Sequence, residues 1–105
     1  MFGDLFGNLQ KQQEEMQQKL ATIFVEADAG DGAVTVKAGA DMHLENIKFD
    51  ATKLDMTDAE QLEDLVLEAV NRALDLAREK AAVESGKLLQ QMMPPGGDFD
   101  SLLKM

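Results

Sequence analysis

The sequence contains no cysteine, no tryptophan and no tyrosine, and its 105 residues include a single histidine, His43. Without cysteine the chain has no disulfide, no thiolate nucleophile and no cysteine-based zinc site. His43 also lacks the partners that a metal site or a nucleophilic site requires, and we interpret it as an ordinary strand residue. These absences exclude the commonest kinds of catalytic and metal centre.

Two other patterns resemble ligand sites but have the wrong spacing. Asp28 and Asp31, like the aspartates at 98 and 100, lack the twelve-residue loop with a terminal glutamate that defines calcium-binding loops. The Gly-Asp-Gly segment at 30–32 joins two predicted strands and has no Lys-Ser/Thr after it, so it is not a phosphate loop. We therefore predict a protein that is not an enzyme and that uses no metal, no cofactor and no small-molecule substrate.

Positive charge is also scarce. Ten lysines and arginines face twenty aspartates and glutamates, which gives a formal net charge of −10. Such a balance opposes nucleic-acid binding at long range. At physiological salt, however, charges separated by more than about 8–10 Å are largely screened from one another. Local clustering of the basic residues therefore decides whether the chain binds an anionic partner.

Long apolar runs are absent, and the N-terminus has no basic segment followed by an apolar stretch. We expect a soluble, cytoplasmic protein with no membrane partner. A chain of this length forms one domain that buries about 60–65% of the surface exposed by its unfolded form. We predict a single domain at 1–93 and a flexible C-terminal tail at 94–105, where Gly-Gly and the lack of periodicity favour disorder.

The chain is organised around a long helix predicted from Thr57 to Met93. Thr57 followed by Glu60 predicts a capping box at its start, and the Pro-Pro-Gly-Gly segment at 94–97 ends it. About 35 residues at 1.5 Å each span about 50 Å, more than a small domain can cover. The apolar residues that recur on one broad helical face are Leu62, Leu65, Val66, Ala69, Val70, Ala73, Leu76, Ala77 and Ala81.

Charged residues enter this face toward the end of the helix, at Lys80, Glu84 and Lys87. We therefore expect the last turns to leave the protein body. The opposite side carries a row of carboxylates, which is typical of a solvated face but can also repel DNA or attract a basic protein. This acidic row consists of Asp64, Glu68, Asp75 and Glu79.

The residues before the long helix predict a second helix and three strands. Residues 1–22 form a glutamine-rich helix with a thin apolar row, which requires a partner because short isolated helices are marginal in water. From Thr22 the apolar period is two, and a glycine-rich turn predicts a hairpin. In the third strand, Met42–Phe49, a β-bulge near Glu45-Asn46 restores a single apolar face. The predicted fold is α+β, with the order α-β-β-β-α and a small antiparallel three-stranded sheet.

Basic residues on the two helices are the candidates for nucleic-acid contact. If both helices leave the same sheet, the N-terminal end of the first and the C-terminal end of the second lie together, and their cations form a local patch. The interspersed glutamates leave an ordinary solvated surface as the alternative. The candidates are Lys11, Lys19, Arg78, Lys80 and Lys87.

Two segments of the chain resemble the YbaB/EbfC family of bacterial nucleoid-associated proteins, and the resemblance covers nearly the whole chain. It implies an intertwined homodimer whose paired helices project like tweezer arms and bind double-stranded DNA at the nucleoid. By position it assigns DNA contact to the five basic candidates. The segments are Met1-Phe2-Gly3, Gly7-Asn8-Leu9, Lys11-Gln12, Met16-Gln17 and Lys19 at the start, and Leu62-Glu63-Asp64-Leu65-Val66, Ala69, Asn71 and Ala73 in the long helix.

Two functions follow from these observations. The first is a non-enzymatic homodimer that clamps double-stranded DNA, alters its conformation and affects local gene expression. Few arginines and no helix-turn-helix motif are present, so recognition should rest mainly on phosphates. The alternative is an acidic homodimeric protein-interaction module with weak or lost DNA binding. It would contact basic proteins through the acidic row or through Phe99, Leu102 and Leu103.

Overall fold

The computed structural model describes the backbone of residues 2–92 and the side chains of residues 3–90. Its elements in chain order are α1 (Phe2–Leu20), β1 (Phe24–Ala29), β2 (Val34–Gly39), β3 (Leu44–Phe49) and α2 (Ala59–Met92). The three strands form one antiparallel sheet in the order β1-β2-β3. The predicted α-β-β-β-α order is confirmed. The predicted tail at 94–105 lies outside the described residues.

A tight turn joins β1 to β2 and sets their antiparallel pairing. Gly30 and Gly32 have φ angles of 65° and 87°, and Asp31 between them has a φ of 55°. Glycine, and to a lesser extent aspartate, tolerates these positive values better than other residues do. A Cβ atom on Gly30 would lie 3.2 Å from Leu65 Cδ2 of α2, so the turn also packs closely against the helix. The predicted hairpin is confirmed.

The predicted β-bulge is present in β3. Lys37 pairs with Asn46 whereas Ala38 pairs with Leu44, which leaves Glu45 as an extra residue between the two pairs. An extra residue reverses the alternation of the strand, because successive side chains point to opposite faces. The apolar residues of β3 consequently lie on the same face of the sheet as the buried residues of β2, with which they pair across the strands. They are Leu44, Ile47 and Phe49.

The core lies between α2 and the first two strands. Val34 and Val36 of β2 are fully buried, and the side of α2 that meets the sheet is made of alanines. Alanine allows a helix to approach a sheet closely, and both valines are covered completely. All six residues of β3 are exposed, since α2 packs on β1 and β2 but does not extend over β3. The buried core residues are Ala29, Val34, Val36, Ala38, Ala69 and Ala73.

The start of α2 differs from the prediction. Asp58 is the N-cap residue: its Oδ1 accepts a hydrogen bond from the Gln61 amide at 3.1 Å. Thr57, predicted to be the cap, donates its hydroxyl to Asp55 Oδ1 at 2.6 Å instead. The predicted Thr57–Glu60 capping box is therefore wrong by one residue. Aspartate is at least as good an N-cap as threonine, and its charge also complements the helix dipole.

Both helices extend beyond the sheet, and the described residues measure 61 × 36 × 18 Å. In the last turns of α2, residues 85–87, 89 and 90 are exposed, and the position of a Cβ atom on Gly86 has no neighbouring atom within 4 Å. The last turns of α2 thus leave the protein body, as predicted. Neither helix in the described part of the chain is long and apolar enough to cross a membrane.

Candidate nucleic-acid interface

Two of the predicted basic residues, one at the end of α1 and one near the end of α2, contact the carboxylate of Glu84. Lys19, in the last turn of α1, places its Nζ 3.2 Å from Glu84 Oε2. Lys87, one turn after Glu84 on α2, donates to Glu84 Oε1 at 3.3 Å. We call Lys19, Glu84 and Lys87 the Glu84 triad. Each carboxylate oxygen contacts one lysine. With two ammonium groups and one carboxylate, the triad carries a net charge of +1.

Glu84 is buried because of its position on α2. It follows Ala77 by one heptad, so the two residues lie within about 20° of each other around the helix axis. Ala69, Ala73, Ala77 and Glu84 form what we call the buried stripe of α2, and Glu84 itself is 6% exposed. Hydrogen bonds from Lys19, and then from Lys87, hold the pKa of the Glu84 carboxyl below its ordinary value. The carboxylate is therefore kept ionised by the two lysines that cover it.

Lys80 lies on the same side of α2 as the Glu84 triad. It precedes Lys87 by one heptad, so these side chains leave the helix within about 20° of each other. Lys80 lines a shallow cavity beside Val25 of β1 and is exposed. No carboxylate among residues 3–90 approaches its Nζ closely enough to form an ion pair. Lys80 thus adds an uncompensated cation to this side of the helix.

Arg78 is separated from the other basic candidates on α2. At 100° per residue it lies about 200° from Lys80, on the far side of the helix. Its guanidinium donates to Asp75 Oδ1 at 3.0 Å, within the acidic row. A surface formed by Lys80 and Lys87 therefore does not include Arg78. The five candidates do not make one continuous patch.

Lys11 lies eight residues before Lys19 on α1, about 12 Å along the helix axis. It is exposed, and no ion pair is formed by it within the described side chains. The polar contact between the helices is made by the C-terminal end of α1, through Lys19 and Glu84. The expectation that the N-terminal end of α1 lies beside the C-terminal end of α2 stays a prediction. Lys11 is thus a neighbouring site on α1 rather than a member of the triad.

All four residues of the acidic row are exposed, as predicted, and three of them lie about 120–160° from Lys80 around the axis of α2. Part of the charge of the row is compensated within the chain. Arg72 donates to Glu68 Oε1 at 2.6 Å and to the Asp28 carbonyl at 2.8 Å, which ties α2 to the end of β1. The cations that remain available therefore lie on one side of α2 and Asp64, Glu68 and Asp75 lie on the other, whereas Glu79 lines the same shallow cavity as Lys80.

Sequence reasoning missed the role of Glu84, which it treated as a charged residue that enters the apolar face where α2 leaves the protein body and as one of several interspersed acidic residues. The informative signal is its heptad spacing from Ala77, which continues the buried stripe, combined with Lys87 three residues later. A glutamate on a buried helical face requires a partner, because burying an unpaired charge is costly. One partner comes from Lys87, which is local, and the other from Lys19, which only the fold brings close.

A second uncovered surface is apolar. Leu44, Ile47 and Phe49 of β3 are each 40–44% exposed, on the same side of the sheet as α2 but beyond the area that α2 covers. On α2, apolar side chains line an open cavity of about 460 Å³. Near the start of α1, Leu5, Phe6 and Leu9 are also exposed. The residues that line the cavity on α2 are Leu62, Glu63, Val66, Leu67 and Val70.

An elongated α+β domain with cations on a projecting helix and an uncovered apolar face belongs to the class of small binding proteins. A model of the YbaB/EbfC DNA-binding family matches residues 1–92. The chain is a member of that family, as the sequence resemblance indicated.

Its relatives are similar over most of their length. The chain is 40% identical to a nucleoid-associated protein of Moorella thermoacetica, over 86% of this chain and 96% of the relative. It is 41% identical to one from Thermodesulfovibrio yellowstonii, over 97% and 93%. The crystal structure of an uncharacterized Helicobacter pylori protein superimposes with a TM-score of 0.68 at 18% identity, covering 84% of this chain and 92% of that one. This likeness confirms the fold.

Proposed function

We propose that this protein is a non-enzymatic, nucleoid-associated homodimer that binds double-stranded DNA and alters its conformation, with an effect on local gene expression. The observation that carries this proposal is the segregation of charge on α2, where Lys80 and Lys87 share one side and Asp64, Glu68 and Asp75 lie on the other. Membership of a DNA-binding family and relatives named nucleoid-associated proteins support the same function.

The net charge of −10 is compatible with such a role because of where the charges lie. Lys80 adds one positive charge to the net +1 of the Glu84 triad, and Lys11 adds another farther along α1. Asp64, Glu68 and Asp75 lie across the helix from them, about 10 Å away, which is close to the Debye length at physiological salt, and only Glu79 of the acidic row lines the same cavity as Lys80. A phosphate near Lys80 and Lys87 therefore experiences chiefly the cations. We expect Lys11, Lys19, Lys80 and Lys87 to contact phosphates and Arg78 to contribute least.

A homodimer is supported by the uncovered apolar surfaces. Exposed apolar residues on β3, α1 and α2 form surfaces of the kind that mark interaction sites. A second copy related by a twofold axis would present matching surfaces and cover them. It would also double the number of projecting helices. Two sets of cations on one duplex bind more tightly than one, because the second contact is intramolecular once the first has formed.

Titration of a fluorescent duplex at several salt concentrations tests DNA binding. Two sets of cations neutralise about four to eight phosphates, which gives a slope of log K against log salt of roughly −4 to −7. We expect binding at low salt that weakens steeply toward 200 mM and depends little on DNA sequence. Absence of binding at low salt would refute the proposal. It would favour an acidic protein-interaction module, for which the exposed acidic row is the supporting observation.

The dimer is tested by sedimentation equilibrium with the variant Ile47→Glu. Ile47 is 40% exposed on the apolar face of β3, so a charge there should weaken self-association strongly and leave the fold intact. Asn46→Glu is the matched control, because it adds the same charge to the same strand on the other face of the sheet. A wild-type protein that is monomeric at micromolar concentration would exclude the dimer. A dimer unaffected by Ile47→Glu would exclude this face as its interface.

A further inference from the structure

We propose that Glu84 is an internal competitor for DNA phosphate: its buried carboxylate binds the ammonium groups of Lys19 and Lys87 and thereby weakens their binding to the duplex. The inference rests on the proposed function and assigns a regulatory residue to the same surface. Glu84 thereby lowers the affinity of the protein for DNA and makes that affinity depend more on Lys11 and Lys80.

The geometry of the triad motivates this role. Lys19 Nζ lies 3.2 Å from one carboxylate oxygen of Glu84 and Lys87 Nζ lies 3.3 Å from the other. The side chain of Glu84 is 8% exposed, whereas those of Lys19 and Lys87 are 53% and 57% exposed. The lysines therefore face solvent while the carboxylate that neutralises them lies beneath. An approaching phosphate meets the two ammonium groups first, from the side opposite Glu84.

Carboxylate and phosphate compete for the same donors. Each ammonium group has three hydrogen-bond donors and prefers an ionised oxygen acceptor. A carboxylate fixed on the helix has no translational entropy to lose, so it holds the lysines in the free protein without further cost. A phosphate brings its own charge but must bind against the field of Glu84. The contact also joins α1 to α2, so its rearrangement would change how the two helices are held.

The charge of the triad makes the effect measurable. Removing the carboxylate charge raises the triad from +1 to +2, which adds one neutralised phosphate for each protomer. The slope of log K against log salt should then become steeper by about 0.9 per protomer, or about 2 per dimer. If the slopes of Glu84→Gln and the wild type differ by about 2, the ratio of their affinities for DNA changes roughly tenfold between 50 and 200 mM salt.

The experiment compares Glu84→Gln with Glu79→Gln in DNA titrations between 50 and 200 mM salt. Both variants remove one negative charge from the same helix, but Glu79 is exposed and belongs to the acidic row. We expect Glu84→Gln to bind duplex DNA about tenfold more tightly at 50 mM salt, with the steeper slope given above. For Glu79→Gln we expect a smaller change, of about twofold, because its exposed carboxylate lies near Lys80 but forms no ion pair with a lysine among the described residues.

A second set of variants tests whether the effect passes through the lysines. In a background with Lys19→Gln and Lys87→Gln, the change Glu84→Gln should have no more effect than Glu79→Gln. Circular dichroism and sedimentation of each variant identify any that has lost its fold or its assembly. A merely structural role of Glu84 would change stability without a steeper salt slope, and it would not depend on the two lysines.

The outcomes separate this inference from the proposed function. If the wild type binds DNA and Glu84→Gln behaves like Glu79→Gln, or binds more weakly, Glu84 is not a competitor and the proposed function stands. If the wild type does not bind at 50 mM salt but Glu84→Gln does, the competitor role is supported. If neither binds, the proposed function fails and this inference fails with it.

Discussion

The two halves of α2 use the same helical face for different purposes. In the first half, the buried stripe consists of Ala69, Ala73 and Ala77, and α2 lies against β1 and β2. In the second half, one heptad after Ala77, the stripe continues with Glu84, which lies beneath two lysines rather than against the sheet. The same position of the helical repeat is therefore apolar where the sheet covers α2. It is charged where only the C-terminal end of α1 covers α2. The sheet half provides stability, and the projecting half is free to carry a binding surface.

The largest effect is expected from transferring the glutamate between the two halves. Ala73→Glu places a carboxylate in the same buried stripe, at a position that is fully buried and has no lysine three or four residues before or after it. Burying an unpaired charge should destabilise the domain by about 4 kcal/mol, enough to unfold much of it. Urea denaturation measures this change. Ala82→Glu is the control, because it makes the same substitution at an exposed position of α2 and should change the free energy of unfolding by less than about 0.5 kcal/mol.

The next largest effect concerns DNA binding by the projecting half. Replacing Lys80 and Lys87 by glutamate reverses both exposed cations on one side of α2 and should nearly abolish DNA binding, because it removes about two phosphate contacts per protomer and adds repulsion. The fold and the assembly should be unchanged, since both side chains lie outside the core. Gel-shift titration at low salt measures the loss, and sedimentation confirms that the assembly is intact.

The matched control reverses the same amount of charge on the sheet. Lys37 and Lys48 lie on the face of the sheet opposite α2, and Lys37 Nζ is 4.6 Å from the ring centroid of Phe24. Replacing both by glutamate should reduce affinity much less than the change on α2. If the sheet variant loses binding and the α2 variant does not, DNA binds to the sheet rather than to the projecting helix.

Most of the fold is determined by patterns that act over short distances. The period of two in β1 and β2, the Gly-Asp-Gly turn and the change of phase at Glu45 are each visible in a few consecutive residues, and the structure confirms all three. The N-cap of α2 was misplaced by one residue because Thr57 and Asp58 are both good caps. Asp55 accepts a hydrogen bond from the Thr57 hydroxyl, which leaves Asp58 to cap the helix.

The candidate site depends on contacts between distant residues and was predicted less completely. The sequence identified Lys19, Lys80 and Lys87 as basic residues on helices, and periodicity alone places Lys80 and Lys87 on one side of α2. It did not indicate that Lys19 would pair with Glu84, because 65 residues and a whole sheet separate them in the chain. Nor did the sequence analysis separate Arg78 from the other basic candidates. The angular position of Arg78 on α2, and Asp75 three residues before it, were sufficient to do so.

A smaller effect is expected at the start of the sheet half of α2. Asp58→Ala removes the side chain that accepts the Gln61 amide and should lower the free energy of unfolding by about 1 kcal/mol. Thr57→Ala removes only a hydroxyl that donates to Asp55 in an exposed loop and should cost less. Urea denaturation of both variants distinguishes the two caps. A larger loss from Thr57→Ala would show that the predicted capping box forms in solution.

The smallest expected effect is the response of the projecting half to pH. Hydrogen bonds from Lys19 and then Lys87 lower the pKa of Glu84. Because the folded pKa lies below the unfolded value of about 4.3, this stabilisation is fully present above the unfolded pKa. It is lost as the pH falls through the lower, folded pKa. Acid should therefore weaken the contact between α1 and α2 from about pH 5 downward.

Global unfolding would not isolate this contribution, since hydrogen bonds from His43, Thr52 and Thr57 also lower the pKa values of three aspartates. A site-resolved NMR titration of the Glu84 side-chain carboxyl does isolate it. We expect its midpoint to lie below the ordinary range and to rise in Lys19→Gln and in Lys87→Gln. Lys11→Gln is the control, because it removes a cation from α1 that does not contact Glu84. A Glu84 midpoint that is unchanged in all three variants would mean that the lysines do not hold the carboxylate in solution, and the stripe would then require another reason for a glutamate at this position.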